Sequence, residues 1–144
     1  MKAILLFLIF ACSLSEPIMS QEYLNYLIRK PEAGHQKAPL LLLLHGIGSN
    51  EQDLFSFADQ LPAKFWVVSA RAPHVIGPDS YAWYEIYKKG NQTVIDAQME
   101  ERSRKAILDL IAQLVKKFNM DDQQVYLCGC SQGNPVRHVW RPSS

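Results

Sequence analysis

Short unbroken apolar runs divide this chain into candidate strands. Residues 39–44 read Pro-Leu-Leu-Leu-Leu-Leu between polar turn residues, and such a run is typical of a buried parallel strand. Similar runs at residues 65–69 and 125–128 predict two more buried strands. The β-prone residues 23–29 come first and predict a strand at the edge of the sheet.

Two other segments show the spacing of an amphipathic helix. The first follows residue 50, where Ser49 or Asn50 can cap it, and ends before Pro62. The second begins near Val94 and places apolar residues at helical spacing as far as Phe118. Between the helices, residues 70–92 are predicted to form a long loop that carries a function.

The resulting order is strand, strand, helix, strand, helix, strand. Strands that alternate with helices predict a mostly parallel sheet covered on both faces. We therefore predict the α/β class, with a three-layer α/β/α sandwich over residues 22–133. A chain of 144 residues is expected to hold one domain.

The N-terminus has the layout of an export signal. Lys2 precedes an apolar run, and small residues at 13 and 15 suit cleavage before Glu16. Residues 1–15 are therefore predicted to be a secretory signal peptide, which makes the product secreted or periplasmic. Two alternatives stay open: lipid attachment at Cys12, which would allow membrane association, and a cytoplasmic product that starts at Met19.

Charge excludes some partners. The chain has 15 basic and 14 acidic residues, so it shows no electrostatic footprint for nucleic acid. The apolar run of the leader is too short for a stable membrane span.

The clearest chemical motif follows the last predicted strand. Gly129-Cys130-Ser131-Gln132-Gly133 fits a nucleophile elbow, a sharp strand-to-helix turn that projects a serine hydroxyl from the sheet. The strand before it supplies the context that a short motif needs. Ser131 is therefore the candidate catalytic nucleophile for attack on an ester or thioester carbonyl.

An acyl-transfer site also needs backbone donors for the oxyanion. Gln132, the residue after the nucleophile, should supply one N–H group, and the turn after the strand at 39–44 should supply the other. We assign the second to Ile47, with Gly48 as the alternative and as a substrate contact. His45 precedes this turn and is expected to brace it, and Trp83 is either core or a wall of the acyl pocket.

Three cysteines are present. Cys128 and Cys130 are two residues apart, which is poor geometry for a disulfide in a strand and fits no metal spacing. We expect both to be small buried side chains. A redox or metal function for the pair stays as an alternative.

In combination, four segments resemble the phospholipase/carboxylesterase family of α/β hydrolases, which includes acyl-protein thioesterases. They are residues 42–54, Arg71-Ala72-Pro73, Ala82-Trp83-Tyr84 and the elbow at 129–133. The resemblance implies hydrolysis of a small carboxylic ester, a thioester or a lysophospholipid, with no metal and no organic cofactor. It also implies that Ser131 is the nucleophile and that Ile47 and Gln132 form the oxyanion hole.

The sequence after Ser131 departs from this pattern. A triad on this fold needs an acid and then a histidine after the serine, and residues 132–144 contain no Asp or Glu. His138 would lie roughly 10 Å from Ser131 along a helix, which is too far for a general base. Residues 134–144 are expected to be a non-matching tail, and the sequence to be a truncated hydrolase that is nearly inactive. A non-catalytic acyl-binding protein is the alternative.

Overall fold

The computed structural model describes residues 23–32 and 37–133. The predicted signal peptide at 1–15, Cys12 and Met19 lie outside the described residues, as does the tail at 134–144 with His138. In the described part of the chain, no helix is long and apolar enough to cross a membrane.

Eight strands and two α-helices form the described structure. In chain order they are β1 (Tyr26–Arg29), β2 (Pro39–Leu44), α1 (Glu51–Phe55), a 3₁₀ turn (Ala58–Gln60), β3 (Trp66–Ala70), β4 (His74–Gly77), β5 (Ser80–Ala82), β6 (Ile86–Lys89), β7 (Gln92–Ile95), α2 (Ala97–Phe118) and β8 (Asp121–Gly129).

The central sheet has the strand order β1-β3-β2-β8. Strand β2 pairs in parallel with both β3 and β8, whereas β1 pairs antiparallel with β3 at one edge. The predicted edge position of the first strand is therefore confirmed. The parallel pairing brings the C-terminal ends of β2 and β8 to the same edge, where the turn after β2 and the elbow after β8 meet.

Alternate residues of β2 face opposite layers. Leu40, Leu42 and Leu44 are fully buried in the core on which α2 packs. Leu43 belongs to a smaller cluster on the other face, which contains residues of α1 and the 3₁₀ turn. Because each face of the sheet is covered by a helical layer, the predicted α/β/α sandwich is confirmed.

The predicted long loop at 70–92 is wrong in its detail. The segment forms two hairpins, β4–β5 and β6–β7, each an antiparallel pair. Asp79 and Gly90 lie in their turns with φ of 47° and 63°, a backbone region that Gly and Asp enter most easily. The Gly90-Asn91 pair is itself a two-residue hairpin signal that the sequence interpretation missed.

The first helix is shorter than predicted, whereas the second ends where it was predicted to end. Asn50 caps α1 as expected, since its side chain accepts a hydrogen bond from the N–H of Gln52. The helix ends after five residues, where the Ser56 hydroxyl donates a hydrogen bond to the Asp53 carbonyl at 2.6 Å, a local bond of the kind that competes with helical bonding. In contrast, α2 runs for 22 residues from the Asp96 cap to Asn119, whose φ of 52° ends it.

The expected burial of Cys128 and Cys130 is wrong, because both are exposed free thiols. Strand β8 is an edge of the described sheet. Its residues Val125 and Leu127 pack toward the α2 side, so Tyr126 and Cys128 project from the opposite face. That face is not covered at β8 by any described helix, and Tyr126 is 49% exposed.

Candidate active site

The elbow is a tight turn held against the end of β2. The N–H of Cys130 donates to the carbonyl of Leu44 at 3.1 Å, and the N–H of Gly133 donates to the carbonyl of Cys130 at 2.9 Å. Ser131 has a φ of 50°, in the left-handed region that a non-glycine residue rarely adopts. Such strain at an exposed serine is typical of a residue whose position serves a function.

Glycines let the two turns approach each other. A methyl group at Gly133 would lie 2.3 Å from the carbonyl oxygen of Leu44, so only glycine fits there. A methyl group at Gly46 would lie 3.4 Å from Cβ of Ser131. The turn after β2 therefore passes directly beside the candidate nucleophile, as the sequence predicts.

The hydrogen bonds of this turn distinguish Ile47 from Gly48. The N–H of Gly48 donates to the carbonyl of Tyr81 at 2.9 Å, so it is already occupied. The N–H groups of Ile47 and Gln132 make no hydrogen bond to any described residue. Both predicted oxyanion donors are therefore free in the described structure, and the alternative donor is not.

His45 braces the turn with both ring nitrogens. Its Nε2 accepts a hydrogen bond from the N–H of Ala72 at 3.0 Å. This contact leaves the proton on Nδ1, which donates to the carbonyl of Gly46 at 2.7 Å. Burial lowers the pKa of His45 below its ordinary value and favours the neutral ring. His45 is thus a support for the turn, as expected, and its nitrogens are not available to Ser131.

The side chain of Gln132 fastens the elbow to the segment before β6. It is buried, and its amide donates to the carbonyl of Tyr84 at 2.8 Å and accepts from the N–H of Trp83 at 3.2 Å. The indole of Trp83 in turn donates to the carbonyl of His45 at 2.8 Å. One buried polar network therefore joins the elbow, the turn after β2 and the segment between β5 and β6. The sequence did not predict this network.

Trp83 lies in the core with no exposed surface. Ser103 on α2 donates a hydrogen bond to its carbonyl. The indole reaches the site only through the bond to His45 in the described structure. Its role as a wall of the acyl pocket stays a prediction, as does substrate contact at Gly48.

An ion pair between Arg71 and Glu51 supports the other side of the turn. The sequence alone predicted no role for this pair. Arg71 donates to Glu51 through Nε at 2.6 Å and through Nη2 at 2.5 Å. These bonds hold the pKa of the largely buried Glu51 carboxyl below its usual range. Arg71 also stacks on the ring of Tyr81 at 4.7 Å, and Tyr81 pairs with Ser49.

The structure brings the turns that carry Ser131, Ile47 and Gln132 together, and the part of the chain that it describes pairs no base with the serine. Among residues 23–32 and 37–133, no side chain bonds the Ser131 hydroxyl. His74, the other described histidine, lines a separate cavity. Within the same residues, no cluster of three or more His, Cys, Asp or Glu could hold a metal ion.

Solved structures share this fold. An esterase, PE8, has 26% identity and a TM-score of 0.69, covering 82% of this chain and 57% of its own. A Bacillus cereus carboxylesterase is 23% identical to this chain with a TM-score of 0.64, and the match covers 78% of this chain and 50% of the carboxylesterase. Zea mays acyl-protein thioesterase 2 is 17% identical to this chain with a TM-score of 0.62, and the match covers 80% of this chain and 49% of the thioesterase.

The chain thus spans about half the length of these solved relatives. No curated protein sequence matches it significantly. The sequence profile of the phospholipase/carboxylesterase family, a group of α/β hydrolases, matches residues 27–137. This match covers most of the chain, including the turn after β2 and the elbow. The chain belongs to the phospholipase/carboxylesterase family of α/β hydrolases.

Proposed function

We propose that this chain carries the nucleophile and the oxyanion hole of a serine carboxylesterase. Ser131 is the nucleophile, and the N–H groups of Ile47 and Gln132 are the oxyanion donors. The substrate is a small carboxylic ester, a thioester or a lysophospholipid. The solved relatives are two esterases and a thioesterase, and their activities support this substrate class.

The proposed reaction proceeds through an acyl-enzyme. Oγ of Ser131 attacks the carbonyl carbon, and its proton passes to a base and then to the leaving alcohol or thiol. The carbonyl oxygen becomes an oxyanion that accepts bonds from Ile47 and Gln132. Water then attacks the acyl group, which releases the carboxylic acid and returns the proton to Ser131.

The observation that carries this proposal is the pairing of two turns at the end of β2 and β8. One turn holds Ser131 in a left-handed conformation. The other passes close enough that a methyl group at Gly46 would contact Ser131. Each turn has an N–H group that is unpaired among the described residues, that of Ile47 and that of Gln132. We propose that a carbonyl oxygen above Ser131 accepts a hydrogen bond from each.

A labelling experiment tests the assignment. The chain is incubated with p-nitrophenyl acetate, and acetylated serines are located by peptide mass spectrometry. We expect slow acetylation of Ser131 that exceeds acetylation of the half-exposed Ser80. Ile47→Pro removes one donor and should slow labelling by about 100-fold, since one oxyanion donor contributes roughly 3 kcal/mol. Equal labelling of both serines, or no effect of Ile47→Pro, would reject the assignment.

These 144 residues on their own are proposed to turn over very slowly. No described side chain bonds Ser131, and the sequence after it contains no carboxylate side chain. Without a base, only weak catalysis from the oxyanion hole and binding remains. The acetyl group should therefore stay on Ser131 after transfer.

Export through residues 1–15 is part of the same proposal and is tested by sequencing the N-terminus of the expressed protein.

A second candidate is a non-catalytic protein that binds acyl ligands, which is favoured because no described side chain bonds the hydroxyl of Ser131. In that case, a non-hydrolysable ester analogue should bind equally well to the wild type and to Ser131→Ala. No covalent serine adduct should form with p-nitrophenyl acetate. Acetylation confined to Ser131 would exclude this candidate in favour of the esterase.

A further inference from the structure

A cavity of about 560 Å³ lies on the β1 side of the sheet, away from the elbow. It is bounded by the residues before β1, by the segment that follows β3, and by α2. A volume of this size is in the range of small-molecule sites. Its apolar wall is formed by Leu24, Ala72, Pro73, Val75 and Ala106.

The charged side chains that line this cavity are both cationic. Arg71 and Arg102 both line it, and none of the described lining residues is acidic. Arg102 forms no ion pair or hydrogen bond with any described residue. Arg71 uses Nε and Nη2 for Glu51, which leaves Nη1 without a bond to the described part of the chain. The cavity therefore offers guanidinium donors that its own walls do not satisfy.

His74 adds a buried polar atom without a partner. Its Nε2 is buried and makes no hydrogen bond to any described residue. Burial and the charge of Arg102 lower the pKa of His74, against the opposite influence of Glu85 and Asp96. The ring is thus neutral at pH 7.5. Since Nε2 has almost no exposed surface, the ring forms an uncharged part of the cavity wall.

We infer that this cavity binds a small amphiphilic carboxylate. The carboxylate accepts hydrogen bonds from Arg102 and from Nη1 of Arg71, and a short alkyl chain lies on the apolar wall. Guanidinium groups suit carboxylates because their paired N–H donors match the two oxygens. The inference does not depend on the chemistry of Ser131.

The position of the cavity connects it to the oxyanion turn. Ala72, in its wall, donates to His45, and Tyr81, also in its wall, accepts from Gly48 and donates to Ser49. A bound carboxylate would therefore contact two residues that hold the turn in place. This arrangement is distinct from the substrate position proposed above Ser131.

Calorimetric titration of the full chain with sodium hexanoate at pH 7.5 tests the inference. We expect saturable binding at one site, and binding of hexan-1-ol, which has the same chain but no charge, at least tenfold weaker. Arg102→Gln should weaken hexanoate binding about fivefold, because one charge-assisted hydrogen bond at an exposed position is lost. Ser131→Ala should bind hexanoate as tightly as the wild type.

Arg104→Gln is the matched control. Arg104 lies two positions further along α2 and bonds Glu101 outside the cavity lining. Both arginines are on the helix surface, so neither substitution should unfold the chain. Equal hexanoate affinity of the two variants, equal affinity for hexanoate and hexan-1-ol, or the absence of saturable binding at millimolar ligand would overturn the inference. Loss of binding in Ser131→Ala would assign the ligand to the elbow and also overturn it.

Discussion

Gly133 closes the elbow where no side chain fits. In Gly133→Ala, the new Cβ would lie 2.3 Å from a backbone oxygen of β2, so the elbow must move. We expect a loss of about 3 kcal/mol in the free energy of unfolding, at the upper end of overpacking effects. Urea denaturation followed by circular dichroism measures it.

Gly90→Ala is the control for this substitution. Gly90 has a positive φ, but a Cβ there would meet nothing within 4 Å. It should cost only about 1 kcal/mol, from backbone strain. If both variants lose the same stability, steric closure of the elbow is not the reason for glycine at 133.

Gln132 should matter for stability as well as for its backbone N–H. Gln132→Ala leaves a buried N–H of Trp83 and a carbonyl of Tyr84 without partners. We expect a loss of about 2–4 kcal/mol, since each unsatisfied buried group costs about 1–3 kcal/mol. The measurement is again the unfolding midpoint in urea.

Gln113→Ala on α2 provides the comparison. The side-chain carbonyl of Gln113 is buried but already lacks a described partner, and alanine favours a helix. This variant should be neutral or slightly stabilising. A Gln132→Ala variant as stable as Gln113→Ala would show that the polar network contributes nothing.

At the residue scale, local chemistry was predictable and distant contacts were not. Ser131 and the glycines of the elbow follow from a motif of five adjacent residues. The bond of Gln132 to Tyr84 joins residues 48 positions apart. No local pattern encodes such a pair, because it depends on how two loops come together after folding.

Cys128 in β8 and Cys130 just after the strand are both exposed, and the reactivity of their thiols tests this exposure. We expect Cys128 and Cys130 to react with iodoacetamide in the native chain, because both thiols are exposed. Peptide mass spectrometry after a short native reaction identifies the modified positions. Modification that requires urea would show instead that this face of β8 is covered.

The elements themselves were predictable to different degrees. Strand β2 matches its predicted range because an unbroken apolar run has only one way to be buried here. The strands of the second hairpin are mostly exposed and lack alternating hydrophobicity, so periodicity could not identify them. The early end of α1 coincides with a local bond from the Ser56 hydroxyl to the Asp53 carbonyl, which apolar spacing alone does not predict.

The whole molecule should lose stability as the pH falls from 7 to 5. Burial lowers the pKa of His45 and His74 below the ordinary 6.5. Below about pH 6.5, the unfolded chain therefore takes up protons that the folded chain does not, and each group contributes at most about 1.4 kcal/mol per pH unit. Glu51, whose pKa is also lowered, adds a loss only below about pH 4.5.

Urea midpoints at several pH values measure this dependence. Between pH 7 and 5, the urea midpoint of His74→Gln should change less with pH than that of the wild type, because one of the two buried histidines is removed. Its unfolding curve near pH 4 should still show the Glu51 contribution. A wild-type midpoint that stays constant from pH 7 to 5 would contradict the burial of neutral histidines.

Ser131 is the proposed nucleophile of this molecule, and no described side chain bonds it. The most direct measurement is the stoichiometry of nitrophenol release when excess p-nitrophenyl acetate is added to these 144 residues. We predict slow release that stops at about one equivalent, with the acetyl group retained on Ser131 and no such release from Ser131→Ala. Sustained turnover that disappears in Ser131→Ala, or release that is the same in both proteins, would contradict the account.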